Sequence, residues 1–291
     1  MIYRVHTKND FESALNQATS GDSIDGEGAE IELKYSRYLI NSKLNIRNIA
    51  FYNLRNKEGA ITDRINTLTI VNDGGLEIES CGFASHNPHS PGHIGFIKAE
   101  KATHLIVENC RFVDANFAGL WLYDCPYTLI DDSQFNFDSP LGYGYGCWQG
   151  GSGGAVNQVL KAKRSEFYFT RHAIAGHYNA NHIHIEACQF GGTVQQVLDR
   201  HAGEPGNSGA WGIGGGSYTV LNNVFNDRDR MPVDVQQPLY GNKITVEGNT
   251  FNRVYGKNLK MEAVVNDENV VLNETHSHPQ LEWGTNYYVN E

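Results

Sequence analysis

Two short segments, residues 170–178 and 198–203, carry residue types suited to proton transfer beside a carboxylate. Both contain the tripeptide Arg-His-Ala. Arginine binds a carboxylate in bidentate fashion and neutralises its charge, which makes a neighbouring C–H proton easier to remove. Histidine titrates near neutral pH and suits the general base that takes this proton, while tyrosine can protonate a leaving oxygen. The candidate catalytic residues are Arg171, His172, His177, Arg200, His201 and Tyr123.

A recurring phrase organises the chain around these segments. In its clearest copy, residues 105–112, apolar residues stand seven and five positions before a closing Phe, and a small residue stands two positions before it. Apolar alternation at period two indicates a strand with one buried face. The closing residues, 23 to 35 positions apart, are Phe51, Phe83, Phe112, Phe135, Phe167, Phe190, Phe225 and Phe251. A fixed minimum spacing with variable excess is typical of stacked repeats with loop insertions.

Each copy is too small to bury its own apolar face, so neighbouring copies must stack into one continuous core. Strands that recur without intervening helical patterns predict a parallel solenoid with three short strands per turn. The Phe-closed turns and the Cys, Ser and Asn residues two places before each Phe resemble the right-handed parallel β-helix of the pectate-lyase-like superfamily. The resemblance covers residues 44–275. The expected fold is all-β, a right-handed parallel β-helix of about 8–10 rungs with a short N-terminal capping helix.

A single β-helix domain is expected over residues 1–291. Residues 1–43 would form the N-terminal cap and first strands, 44–275 the rungs, and 276–291 a C-terminal cap or tail. An amphipathic helix is expected over residues 9–18, with Asn9 as its N-cap, where it would cover the open end of the core.

One flank of the β-helix is expected to hold the chemistry. A strand precedes each Phe-closed phrase, and its outward side chains stack about 4.8 Å apart from rung to rung. The expected strands are 93–100, 118–124, 172–178, 197–201, 233–237 and 259–264, and loops at 84–91, 138–154 and 203–216 bracket the middle rungs. Aromatic, Gly-rich loops beside such a flank indicate a binding cleft. The candidate substrate-binding residues are Lys98, Trp121, Tyr143, Tyr145, Trp148, Lys161, Asp199, Trp211 and Gln236.

Composition limits the partners. The formal net charge of −10 argues against nucleic acid, although a local basic cleft can still bind an anionic substrate. No apolar run approaches the roughly 18 residues of a membrane span, and no signal peptide is visible at the start. A cytoplasmic, phage-borne or secreted protein with its signal removed is compatible with this, and the oligomeric state stays open.

No cofactor or metal is expected from the cysteines, which lack CxxC or zinc spacing and read as reduced core thiols. Acidic residues four places before their Phe would stack on an outward face, where they suit Ca²⁺ or simply form a solvated surface. These residues are Glu79, Glu108, Asp131 and Glu186.

The resemblance implies a carbohydrate-active enzyme for an acidic, uronate-containing polysaccharide, foremost a β-eliminating lyase. Arg171 or Arg200 would neutralise the carboxylate, a histidine would remove the C5 proton, and a tyrosine would protonate the leaving oxygen. A C5 epimerase shares the first step, and residues 199–201 resemble the Asp-Pro-His element of mannuronan epimerases with Arg200 in place of Pro. A glycoside hydrolase and a non-catalytic carbohydrate-binding or tail-spike-like β-helix are the alternatives. In the purely structural alternative, Arg and Asp pair on the surface and each His fills a turn.

Overall fold

The computed structural model describes most of the chain, and the statements below concern these residues. They are 1–33, 37–54, 64–85, 93–115, 117–137, 144–150, 158–177, 181–192, 197–201, 217–226, 233–235, 244–253, 262–265, 268–271 and 281–290.

The chain winds through three parallel ladders of strands. Each turn contributes one strand to each ladder, so that neighbours within a ladder come from consecutive turns. The first ladder contains Tyr38–Ile40, Arg64–Ile70, His93–Glu100, Ala118–Tyr123, Tyr145–Gly150, His172–His177, Leu198–His201 and Val233–Val235. The second contains Gly75–Glu79, His104–Glu108, Tyr127–Asp131, Gln158–Lys163, Asn181–Glu186, Ser217–Leu221, Ile244–Glu247 and Leu281–Trp283. The third contains Gly82–Ser85, Arg111–Val113, Gln134–Asn136, Glu166–Tyr168, Gln189–Gly191, Val224–Phe225, Thr250–Arg253 and Tyr287–Asn290.

At the N-terminal end, two long strands run through both the second and the third ladder. Asp22–Glu32 pairs in parallel with Lys43–Leu54, and Ile2–Arg4 adds a short strand beside Asp22–Glu32. All of these pairings are parallel, as the recurrence of one phrase in one direction predicts. The predicted parallel β-helix is therefore confirmed.

The recurring phenylalanines form one column inside the third ladder. Consecutive members are register partners from Phe51 to Phe251, and Tyr288 takes the next position. Their ring centroids lie 4.6 to 5.5 Å apart from one turn to the next. This column and the Leu, Ile and Val residues of the second ladder form the continuous core.

The small residues two places before each Phe from Phe83 to Phe251 form a second column at the corner between these ladders. Each side chain accepts a hydrogen bond from the backbone N–H of the preceding turn, as from Ser133 to the Ser165 hydroxyl at 3.1 Å and from Asn223 to the Asn249 amide oxygen at 2.9 Å. All five cysteines are buried and free. Burial raises the pKa of the Cys110 and Cys188 thiols to about 12, so these thiols stay protonated at neutral pH.

The N-terminal helix spans Lys8–Gln17 and covers the first turn of the core. Its N-cap is Thr7, not Asn9, because Thr7 and Asp10 form a reciprocal capping box. Phe11 is fully buried, with its ring 5.1 Å from that of Phe51. The helix thus extends the phenylalanine column past its first turn and shields it from water.

The structure differs from the sequence-based expectation in three places. A first-ladder strand, Tyr145–Gly150, lies inside the segment expected to be a loop. Leu281–Trp283 and Tyr287–Asn290 continue the second and third ladders, so the β-helix extends past residue 275. Glu262–Val265 pairs antiparallel with Glu268–Val271, in a two-stranded sheet separate from the first ladder.

The phenylalanine column yields a first prediction. Phe112 is fully buried, with the rings of Phe83 and Phe135 stacked on its two faces. We expect Phe112→Ala to lower the free energy of unfolding by about 3–5 kcal/mol, because it opens a cavity between two stacked rings. The neighbouring residue Arg111 is exposed and provides the control. Arg111→Ala should change the free energy of unfolding by less than about 0.5 kcal/mol. Equal effects of the two substitutions in urea unfolding would contradict the stacking role.

The acid stability of the N-terminal turns yields a second prediction. The Asp25 carboxylate accepts hydrogen bonds from the Asn48 side chain, the Glu27 backbone and the Arg47 guanidinium, and these partners lower its pKa from the ordinary value of 3.8. A depressed folded-state pKa contributes stability above about pH 4 that is lost as the pH falls through the folded-state value. We expect Asp25→Asn to flatten the fall in melting temperature below about pH 4. The exposed Glu30, on the same strand, provides a control in Glu30→Gln, which should keep the wild-type profile.

Candidate active site

The residues that the first-ladder strands turn towards the core show which side chains face outward. Gly119 and Gly146 face the core, since a Cβ on either would lie 2.9 Å or 2.8 Å from a ring carbon of Phe135 or Phe167. The next residues along the strands, Leu120 and Cys147, are also fully buried. Each of these strands thus has two consecutive inward positions, and the residue that follows them is less buried.

Those following residues form an aromatic strip across three turns. Lys98, Trp121 and Trp148 are register neighbours, and all three are half-buried. The Lys98 ammonium lies 4.5 Å from the Trp121 ring centroid and 2.6 Å from a carboxylate oxygen of Glu100. The Trp121 and Trp148 rings meet edge to face at 5.6 Å. The strip therefore combines two large ring surfaces with a cation held in a fixed position.

A second cluster lies where the first-ladder strands begin. The Arg171 guanidinium donates a hydrogen bond of 3.2 Å to the Tyr145 hydroxyl, and its carbon lies 5.6 Å from the centroid of that ring. The His172 ring stacks on Tyr145 at 5.5 Å and is 1 % exposed. The Phe117 ring lies near both Tyr145, at 6.2 Å, and Trp121, at 5.2 Å. The cluster and the aromatic strip are therefore continuous.

Backbone hydrogen bonds hold this cluster in position. The Tyr145 N–H donates to the Phe117 carbonyl at 2.9 Å, and the Arg171 N–H donates to the Gly144 carbonyl at 2.8 Å. Each turn is thus tied to the next at the point where the strand begins. The Tyr145 phenol and the Arg171 guanidinium meet because they leave the backbone on adjacent turns.

The other candidate catalytic residues lie at the far end of the same strands. His177 and His201 are register partners on adjacent turns, in the row that contains Glu100, Tyr123 and Gly150. Arg171 and His177 are six positions apart, which is at most about 21 Å of extended chain. The register divides the candidate catalytic residues into two groups, with the tryptophan strip between them.

Arg200 falls in a different row from the two histidines. Its register partner on the preceding turn is Gly176. The same row continues to Gln149 and then Leu122 on the two turns before that, and both of these residues are fully buried. Asp199 falls in the row of the aromatic strip. The structure describes the backbone of Asp199, Arg200, His201 and His177 but not their side chains. Tyr143, Trp211 and Gln236 lie outside the described residues.

Lys161 lies on the second ladder, away from the tryptophan strip, with its ammonium 5.9 Å from the Tyr127 ring centroid. Two of the stacked acids on this ladder have cationic partners. Asp131 pairs with Arg164, and Glu186 pairs with Lys163 and His184 at 3.2 Å each. These contacts lower the pKa of Glu186, with the His184 hydrogen bond as the largest cause. In the part of the chain that the structure describes, no group of three or more metal-ligating side chains lies together.

Sequence reasoning missed the strand that carries Tyr145 and Trp148. A signal for it was present, because Gly-Leu-Trp at 119–121 recurs as Gly-Cys-Trp at 146–148. Glycines and aromatic residues together are typical of a loop, whereas Gly146 makes room for the core ring of Phe167. Within the described ranges, no helix has the length and apolar character needed to cross a bilayer.

No protein-family model matches this sequence, and a comparison with curated proteins finds no match. Solved structures that resemble the chain include two alginate lyases. A PL6 family alginate lyase, AlyGC, matches with 10 % identity and a TM-score of 0.33 over 99 % of this chain, which spans about half of AlyGC. An alginate lyase from Paenibacillus sp. str. FPU-7 matches with 17 % identity and a TM-score of 0.55 over 99 % of this chain and 98 % of the other. At that identity the likeness concerns the fold, and this chain shares a parallel β-helix architecture with the Paenibacillus protein along its whole length.

Proposed function

We propose that this protein is a lyase that cleaves a uronate-containing polysaccharide by β-elimination. The observation that supports it most directly is the hydrogen bond between the Arg171 guanidinium and the Tyr145 hydroxyl at the edge of the aromatic strip. A cation able to bind a carboxylate and a phenol able to transfer a proton lie within one hydrogen bond of each other.

The site has a group for neutralisation of the carboxylate and a group for transfer of the proton. Arg171 binds the uronate carboxylate and neutralises it, which stabilises the negative charge that develops when the C5 proton leaves. The Tyr145 oxygen, in its deprotonated form, accepts the C5 proton. The electron pair of the C5–H bond forms the C4=C5 double bond, the C4–O4 bond breaks, and the same phenol passes the proton to O4, so that the protein neither gains nor loses a proton. Tyr145 is positioned to handle that proton transfer, because its hydroxyl lies at the guanidinium. No redox partner or other co-reactant is required.

The surrounding residues hold this pair and the neighbouring sugars. His172 is buried against the Tyr145 ring and fixes its orientation, which is a positioning role. Trp121 and Trp148 offer ring surfaces for sugars on one side of the cleavage position. Lys98, in the row of the two tryptophans, is held by Glu100 and has further N–H groups that can donate to the sugar oxygens.

A second arrangement for the same chemistry lies at the other end of the strands. The register pairing of His177 with His201 places two general-base candidates on adjacent turns, in the row of Tyr123. In this arrangement a histidine removes the C5 proton and Tyr123 protonates O4. The two arrangements predict different effects of substitution.

The test is the ultraviolet absorbance of the unsaturated uronate that β-elimination creates, measured with alginate, pectate and glucuronan. Alginate is the first polymer to try, since the Paenibacillus protein of similar fold is described as an alginate lyase. A hydrolase, an epimerase or a binding protein would not produce this absorbance. The expected result is a rise in absorbance with at least one of these polymers.

Substitutions at the two ends of the strands then locate the reaction. We expect Tyr145→Phe, which retains the ring but removes the hydroxyl, to lower kcat by about 100-fold or more. Arg171→Lys should lower kcat/KM by at least about tenfold, since lysine cannot bind a carboxylate in bidentate fashion. Tyr52→Phe, at an exposed tyrosine of another ladder, is the control. Full activity of Tyr145→Phe together with inactive His177→Ala and His201→Ala would place the reaction at the second arrangement instead.

A further inference from the structure

Phe169 lies at a corner of the β-helix where the preceding turn buries a phenylalanine. It follows the third-ladder residue Tyr168, as Phe137 follows Asn136 one turn earlier, and Asn136 and Tyr168 are register partners. Phe137 is fully buried against the core phenylalanines. Phe169 is instead 55 % exposed. The β-helix can therefore bury a phenylalanine at this position, and on this turn it turns the ring outward.

The backbone of Phe169 accounts for that outward direction. Its φ is +56°, in the left-handed region that bulky residues rarely adopt. Glycine or asparagine would take this conformation with less strain. The equivalent residues Asp114 and Gly192 have φ values of +60° and +67°, so the left-handed turn recurs in this row and the bulky apolar side chain is the unusual feature. An exposed apolar ring on such a backbone is unfavourable for folding, and such residues cluster where ligands bind.

The next turn is shaped to receive the ring. Gly192 follows the third ladder at the equivalent position, and a Cβ there would lie 2.5 Å from a ring carbon of Phe169. At Gly191 a Cβ would lie 3.1 Å from the ring of Tyr168. Two consecutive glycines thus let two consecutive aromatic rings lie against the backbone of the next turn.

Amide side chains lie in the same row as Tyr168. This row contains Asn136 one turn before Tyr168, Gly191 one turn after it, and Asn226 and Asn252 two and three turns after it. Asn252 donates a hydrogen bond of 2.7 Å to Asn226. An aromatic surface among amides matches a sugar ring, which presents an apolar C–H face and a rim of hydroxyl groups.

We propose that Phe169 is a sugar-binding residue that stacks on a ring of the polysaccharide outside the cleavage position. It stands two residues before Arg171, at most about 7 Å along the chain, so that one bound polymer can reach both residues. The inference rests on the proposed function, because a uronate polymer bound at Arg171 supplies the sugar that Phe169 contacts. Removal of an aromatic stacking partner is expected to weaken binding about tenfold, as in single-stranded nucleic acid complexes.

The test compares wild type with Phe169→Asn and Phe169→Tyr by affinity electrophoresis in gels that contain alginate, pectate or glucuronan, with dextran as the neutral control. Phe169→Asn should weaken retention about tenfold and raise KM with little change in kcat, whereas Phe169→Tyr keeps the stacking ring and should behave as wild type. Phe169→Asn should also melt at the same or a higher temperature, since asparagine tolerates the left-handed backbone. Tyr52→Asn, at an exposed tyrosine elsewhere, should leave retention unchanged.

The outcomes separate this inference from the proposed function. If wild type cleaves a uronate polymer and Phe169→Asn retains full affinity, the sugar-binding role of Phe169 is refuted and the lyase assignment stands. If Phe169→Asn loses affinity but also melts at a markedly lower temperature, the residue is structural and the inference is again refuted. If wild type neither binds nor cleaves any of the three polymers, both proposals fail together.

Discussion

The structure depends on one constraint, the stacking of equivalent residues on consecutive turns. Neighbouring strands of a parallel sheet lie about 4.8 Å apart, and the phenylalanine rings follow that spacing at 4.6 to 5.5 Å. Because the core repeats along one axis, every turn must present a residue of similar size to the turn before it. The outer surface has no such requirement, so residues that suit binding can collect there without disturbing the core.

The constraint explains which parts of the molecule the sequence predicts. The column from Phe51 to Phe251 was recognisable because a buried column must repeat chemically. The strand Tyr145–Gly150 was not, because Gly146 meets the core by having no side chain, and a glycine there resembles a loop. Simple alternation of inward and outward residues also did not predict which row of the ladder Arg200 joins. Two consecutive inward residues, such as Gly146 and Cys147, shift every later position along the strand by one face.

Departures from the repeat mark the candidate site. Gln149 is fully buried beneath the aromatic strip, where the preceding turn has Leu122, and no described residue pairs with its amide. A buried, unpaired amide is unfavourable for stability. Phe169 is the reverse case, an apolar ring turned outward where Phe137 is buried. Both departures lie on turns that carry Tyr145 or Arg171, and local violations of folding rules are expected where residues serve function.

The net negative charge of the chain is compatible with an anionic substrate, because charges in salt solution interact only over a short distance. The net charge of −10 acts at a distance, but salt at physiological strength screens charges beyond about 8 Å. Lys98 and Arg171 act at contact distance, and each lies near an aromatic ring that can itself contact a sugar. In the proposed function, binding at this surface therefore depends on a few cations held beside aromatic rings. A ring fixes both the position of the sugar and, through its contact with the cation, the position of the charge that meets the carboxylate.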